Sequence, residues 1–134
     1  MIVADTNLLI YLYIQGQWTA ESEAVLQRDP VWTAPLLWRS EFRNVLIGLV
    51  RKRVLPLETA VSIADEAERW LTGHEYSVIS TQVLSLAAQS GCSAYDCEFV
   101  ALAQDSMVPL VTTDRQLLRA FPTVAVAPTV FVMS

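Results

Sequence analysis

Short apolar runs alternate along this chain with longer stretches whose apolar residues recur at helical spacing. Met1-Ile2-Val3-Ala4 is an unbroken apolar run closed by Asp5, and predicts a first strand over Ile2–Ala4. Thr6 to Tyr13 follows as a helix that Asp5 can cap. Gly16 interrupts the pattern, and Thr19 is placed to cap a second helix that runs to about Arg28 and stops before Asp29-Pro30. Val31 to Thr33 predicts a second strand. Pro35 then turns the chain into a long helix from Leu36 to about Arg53. Pro56 opens a further helix to about Leu71, with Val61, Ala64, Ala67 and Leu71 on one face.

Tyr76 to Ile79 predicts a third strand. Ser80 or Thr81 caps the next helix, which Gly91 closes after Ser90. Ser93-Ala94-Tyr95-Asp96 opens a helix reaching about Asp105, and Leu110 to Thr112 predicts a fourth strand. Thr113 and Gln116 have capping-box spacing for a short helix to Ala120. A last strand is expected over Val124–Ala127. The apolar tail Val130–Met133 reads as a final edge strand or part of an interface. Regular alternation of strands and helices predicts an α/β fold with helices on both faces of the sheet. Without a linker or repeat, one domain over residues 1–134 is expected.

Four acids stand out against this pattern. Asp5 and Asp114 each follow a predicted strand, where the ligand crevice of an open parallel sheet lies. Each also has a structural reading: Asp5 as a helix cap, Asp114 as an acid in a first helical turn. Asp96 could be the third-position acid of a box begun by Ser93. Glu41 is harder to explain that way. Positions 37, 41, 45 and 49 form one helical stripe, and read Leu37, Glu41, Val45 and Leu49. Arg39 and Arg43 project from other faces of that helix. A charge in an apolar stripe needs a partner, and a divalent cation such as Mg²⁺ or Mn²⁺ takes oxygen donors. Asp5, Asp96 and Asp114 are then natural co-ligands. Asn7, Thr112 and Thr113 could support a ligand or substrate, and Arg115 could reach a phosphate.

Bulk properties narrow the choice. With 53% hydrophobic residues and a mean hydropathy of +0.37, the chain is rich in core material, but its longest apolar runs are too short to span a bilayer. No leader pattern is visible, and a cytoplasmic location is expected. Cys92 and Cys97, five apart at the start of a helix, should point to different faces and stay reduced. The single histidine, His74, makes a zinc site or a Ser-His-Asp triad hard to build. A net charge of −5 argues against broad nucleic-acid binding. Against that, eight of the nine basic residues are arginine, the better phosphate partner.

In order and context the acids resemble those of PIN-domain ribonucleases, above all VapC-type toxins of toxin–antitoxin pairs. The matching segments are Val3-Ala4-Asp5-Thr6-Asn7, Ser40-Glu41-Phe42-Arg43-Asn44-Val45-Leu46, Ser93-Ala94-Tyr95-Asp96 with Val100-Ala101-Leu102-Ala103, and Pro109-Leu110-Val111-Thr112-Thr113-Asp114-Arg115-Gln116-Leu117. The resemblance implies a Rossmann-like three-layer α/β/α sandwich with a mainly parallel sheet. It implies one or two Mg²⁺ or Mn²⁺ ions on Asp5, Glu41, Asp96 and Asp114, and cleavage of RNA. It further implies a homodimer and a cognate antitoxin. Two rival readings remain at this point: a phosphohydrolase with Asp5 as nucleophile, though Asn7 stands where such enzymes carry a second acid, and a non-catalytic metal-binding or interaction module. A dinucleotide site is disfavoured because Asp5-Thr6-Asn7-Leu8, not a glycine-rich turn, follows the first strand.

Overall fold

Five short parallel strands form the centre of the protein, seen here in a computed structural model that describes residues 1–134. They are β1 (Ile2–Ala4), β2 (Trp32–Pro35), β3 (Glu75–Tyr76), β4 (Leu110–Val111) and β5 (Ala125–Val126), in the spatial order β3-β2-β1-β4-β5. β1 is central, pairing Ile2 with Trp32 and Val3 with Thr33 on one side. On its other side Val3 pairs with Leu110 and Ala4 with Val111. The first three strands build outward from β1 in one direction, and β4 and β5 in the other. The order therefore reverses between β1 and β4, where an open α/β sheet forms its ligand crevice.

Eight helices connect and flank the strands: α1 (Thr6–Tyr13), α2 (Thr19–Arg28), α3 (Trp38–Arg51), α4 (Leu57–Leu71), α5 (Ser80–Ser90), α6 (Ala94–Ser106), α7 (Arg115–Ala120) and α8 (Pro128–Met133). α6 packs on β1, β2 and β4, and α5 packs on α6. That burial explains the near-continuous apolar run of α6, whose residues from Phe99 to Ala103 are all buried. β1, β2 and β4 are likewise buried on both faces, as parallel strands flanked by helices must be. On α3 the buried stripe is Trp38, Phe42 and Leu46, while Leu37, Glu41 and Val45 lie half-buried beside it. Trp38 and Phe42 meet edge to face at 5.3 Å.

The structure differs from the sequence pattern at several ends. α3 begins at Trp38, because Pro35 still belongs to β2 and Leu36 donates its amide to the Tyr76 carbonyl. β3 covers Glu75–Tyr76, not Tyr76–Ile79. As an edge strand it is held by β2 alone, and Ile79 already serves as the N-cap of α5, without a side-chain bond from Ser80 or Thr81. Thr19 does not cap α2. Its hydroxyl instead accepts from the Gly16 amide and donates to the Ile14 carbonyl, closing the loop. Asp114, not Thr113, caps α7. The tail is a helix begun by Pro128, where proline is tolerated in a first turn, and it packs on α2. Cys92 precedes α6 and Cys97 lies within it, so one helical wheel does not describe both. Both are free and buried in the same core. No helix is long and apolar enough to cross a membrane.

Candidate active site

The four acids meet. A cleft of about 220 Å³ is lined by Asp5, Thr6, Asn7, Glu41, Asn44, Val45, Asp96 and Asp114. It opens at the carboxyl ends of β1 and β4, the point where strand order reverses. Each acid reaches it from a helix N-terminus: Asp5 caps α1, Asp114 caps α7, and Glu41 and Asp96 lie in the first turns of α3 and α6. Positive helix ends favour acids by about 0.3–1 kcal/mol each at exposed sites. Because α3 starts later than its sequence suggests, Glu41 shares in that benefit and is not an isolated mid-helix charge.

Two buried threonines organise the acids. Thr112 donates its hydroxyl to Asp5 Oδ2 at 2.6 Å and accepts the Asp114 amide at 3.0 Å. Thr6 donates its hydroxyl to Glu41 Oε1 at 2.7 Å, and its amide to Asp5 Oδ1 at 2.8 Å. Asp114 Oδ1 accepts the amides of Gln116 and Leu117 at 2.8 and 3.1 Å. Glu41 Oε2 and Asp114 Oδ2 receive no protein donor, whereas the Ser93 hydroxyl lies by the Asp96 carboxyl. None of the four carboxylates has an ion-pair partner. Of the other expected residues, Asn7 lines the cleft, whereas half-buried Thr113 and exposed Arg115 do not. Thr6 and Asn44 also line it. No periodicity marks them, since a threonine opening a helix after Asp5 reads as ordinary capping chemistry.

Electrostatics follow from this crowding. Burial pushes the Asp5 carboxyl from its ordinary 3.8 up to about 6, the Glu41 and Asp96 charges add to the rise, and the Thr112 and Thr6 bonds work against it. Glu41 is raised by burial and by the charges of Asp96 and Glu98, against the Thr6 bond. Asp96 is raised by burial and by the Asp114 charge, against the Ser93 hydrogen bond. As the side chains stand, no three of these groups close around a single point. Their chemistry nonetheless fits a hard divalent cation: all donors are oxygens, several are unused, and the negative charge is unanswered.

The PIN domain family model matches residues 2–121. The chain belongs to the PIN-domain family. This PIN domain is 30% identical over 125 residues to ribonuclease VapC3 of Pyrobaculum aerophilum, covering 90% of the present chain and 95% of that one. Its fold is shared with FitAcB of Neisseria gonorrhoeae, at a TM-score of 0.72 and 17% identity, over 96% of this chain and 99% of that one. A toxin–antitoxin complex from Klebsiella pneumoniae has a chain of the same fold, at a TM-score of 0.70 and 19% identity, over 96% and 98% of the two chains.

Proposed function

We propose that this PIN domain is a divalent-metal-dependent endoribonuclease and the toxin of a toxin–antitoxin pair. The observation that carries the reading is the convergence of Asp5, Glu41, Asp96 and Asp114 on one cleft with no basic residue to neutralise them. Likeness to ribonuclease VapC3 supports RNA as the substrate. The four carboxylates would hold Mg²⁺ or Mn²⁺, one ion or two, which when bound supplies Lewis-acid activation of water and compensates charge at the scissile phosphate.

The chain's own residues do the positioning. Thr112 and the Thr6 amide fix Asp5 at the floor, and Thr6 fixes one oxygen of Glu41. Asn7 and Asn44 offer neutral amides along the wall. They can hydrogen-bond RNA without adding to the negative charge. Arg115, exposed at the start of α7 and outside the cleft lining, would meet a flanking phosphate. The same reading takes in a cognate antitoxin that covers the cleft, a second copy of this chain as a homodimer partner, and action in the cytoplasm.

The purified chain, free of any antitoxin, should cut cellular RNA into discrete fragments with Mg²⁺ or Mn²⁺ and not with chelator. Asp96→Asn should abolish cutting while the protein stays folded. A folded wild type that leaves RNA intact with either metal across varied substrates would sink the reading. An acid-labile phosphoryl group on Asp5 would replace it with an aspartyl-nucleophile mechanism.

A further inference from the structure

Thr6 touches two of the four acids at once. Its amide donates to Asp5 Oδ1 at 2.8 Å and its hydroxyl to Glu41 Oε1 at 2.7 Å. Asp5 closes β1, whereas Glu41 belongs to α3, 36 residues further along the chain. No backbone pairing joins the two elements at this point. The threonine side chain is therefore the direct polar link between them. Thr6 is 4% exposed, and Glu41 Oε1 has no competing protein donor.

A hydroxyl has one proton, and here it is committed to Glu41. That commitment fixes which Glu41 oxygen is used up and which one is left open. Oε1 is held by Thr6, and Oε2 has no protein donor. We propose that Thr6 is a positioning residue: it sets the spacing of Asp5 and Glu41 and selects the Glu41 oxygen presented to a cation. This rests on the metal-dependent reading above. Thr112 plays no equivalent part for Glu41, because its single proton is spent on Asp5.

Thr6→Val keeps the shape and removes the hydroxyl, while Thr6→Ser keeps the hydroxyl and removes a methyl. Mn²⁺ binding measured by calorimetry needs no RNA and no turnover. T6V should bind Mn²⁺ between about ten- and a hundredfold more weakly, the range seen when a group that orients a metal ligand is lost. T6S should stay close to wild type. In a Glu41→Gln background, T6V should have no further effect, because Thr6 acts through Glu41. In cleavage assays the T6V loss should fall on kcat, with KM for RNA little changed.

Thermal melting checks that each variant is folded, and Thr6→Ala replaces T6V if the valine lowers the melting temperature. Wild-type Mn²⁺ affinity in a folded T6V would overturn the proposal and leave the ribonuclease reading intact. A T6V effect of full size in the Glu41→Gln background would overturn it too. A wild type that takes up no Mn²⁺ would instead bring down the metal-dependent reading, and Thr6's role with it.

Discussion

Helix α3 carries two kinds of acidic surroundings on neighbouring faces. Around Arg39, every charge is answered. Arg39 Nε and Nη2 donate to the two oxygens of Glu75 at 2.6 and 2.8 Å, and Nη1 donates to Glu68 at 2.8 Å. Trp38 Nε1 adds a bond to Glu75 at 2.7 Å. The Arg39 bonds, ahead of the Trp38 bond and against burial, hold the Glu75 carboxyl below its usual range. Two residues away, Glu41 faces three other carboxylates and no cation, and its carboxyl is raised, chiefly by burial. One region is a clasp that joins α3 to α4 and the sheet edge. The other keeps unneutralised charge in place with threonine hydroxyls and helix ends. Stability has been served in the first. In the second it has been given up to keep four carboxylates ready for a ligand.

That contrast can be broken by mutation. Asp96→Asn and Glu41→Gln should cut RNA cleavage by more than about a hundredfold, beyond the usual loss from an outer-shell change. Denaturation midpoints should hold or rise, because like charges have been removed. A midpoint that falls sharply in either variant would show the cleft to be structural. Mn²⁺ should stabilise the wild type in the same direction, by neutralising those charges. At a concentration 100 times its dissociation constant it should raise unfolding free energy by about 2.7 kcal/mol, and by much less in Asp96→Asn.

Arg39→Ala should do the converse of the cleft variants. It removes charge-assisted bonds from Glu75, a side chain only 9% exposed, and should cost about 2 kcal/mol in urea unfolding. The folded fraction should still cut RNA. Loss of activity without loss of stability would break the comparison.

The smallest effect is on pH, read in chelator. Asp5 has a folded pKa of about 6 against an ordinary 3.8, so between these values the folded protein binds more protons than the unfolded chain. Stability should therefore rise as pH falls from about 6 towards 4. Glu75 works the other way: its lowered pKa contributes stability above its ordinary 4.5, and that contribution is lost as pH falls through the folded value. The wild type should show a maximum of stability on the acid side of neutrality. Glu41→Gln should flatten its alkaline limb, and Glu75→Gln its acid limb. Urea midpoints measured across this range would test both.

Much of the site could be read from residue order alone. Asp5 and Asp114 each follow a buried apolar run, and that places them at strand ends whatever the detailed topology. Ser93 caps α6 as its position predicts, with the Asp96 amide donating to its hydroxyl at 3.0 Å. The details that escaped depend on neighbours distant in sequence. β3 and β5 are two residues each and exist through pairing with β2 and β4. Pairing of that kind leaves almost no local signal. The start of α3 is set by the Leu36 amide bonding across to Tyr76. Val130–Met133 has strand-like composition, yet docking on α2 makes it helical. Thr6 looked like one more polar residue at a helix start, because its hydroxyl's partner comes from α3.

The Thr112 hydroxyl bonds a carboxylate 107 residues earlier in the chain. Synthesis runs from the N-terminus, so Asp5 and Glu41 are made well before β4 exists to seat beside β1. Until then Asp5 lacks its Thr112 donor, and Asp114 is absent from the cleft. The four-acid cleft is therefore the product of a late, long-range closure and not of local folding around β1. Its completion waits on β4 and on Asp114 just beyond it, a delay that follows from the position of β4 relative to β1 in the sequence.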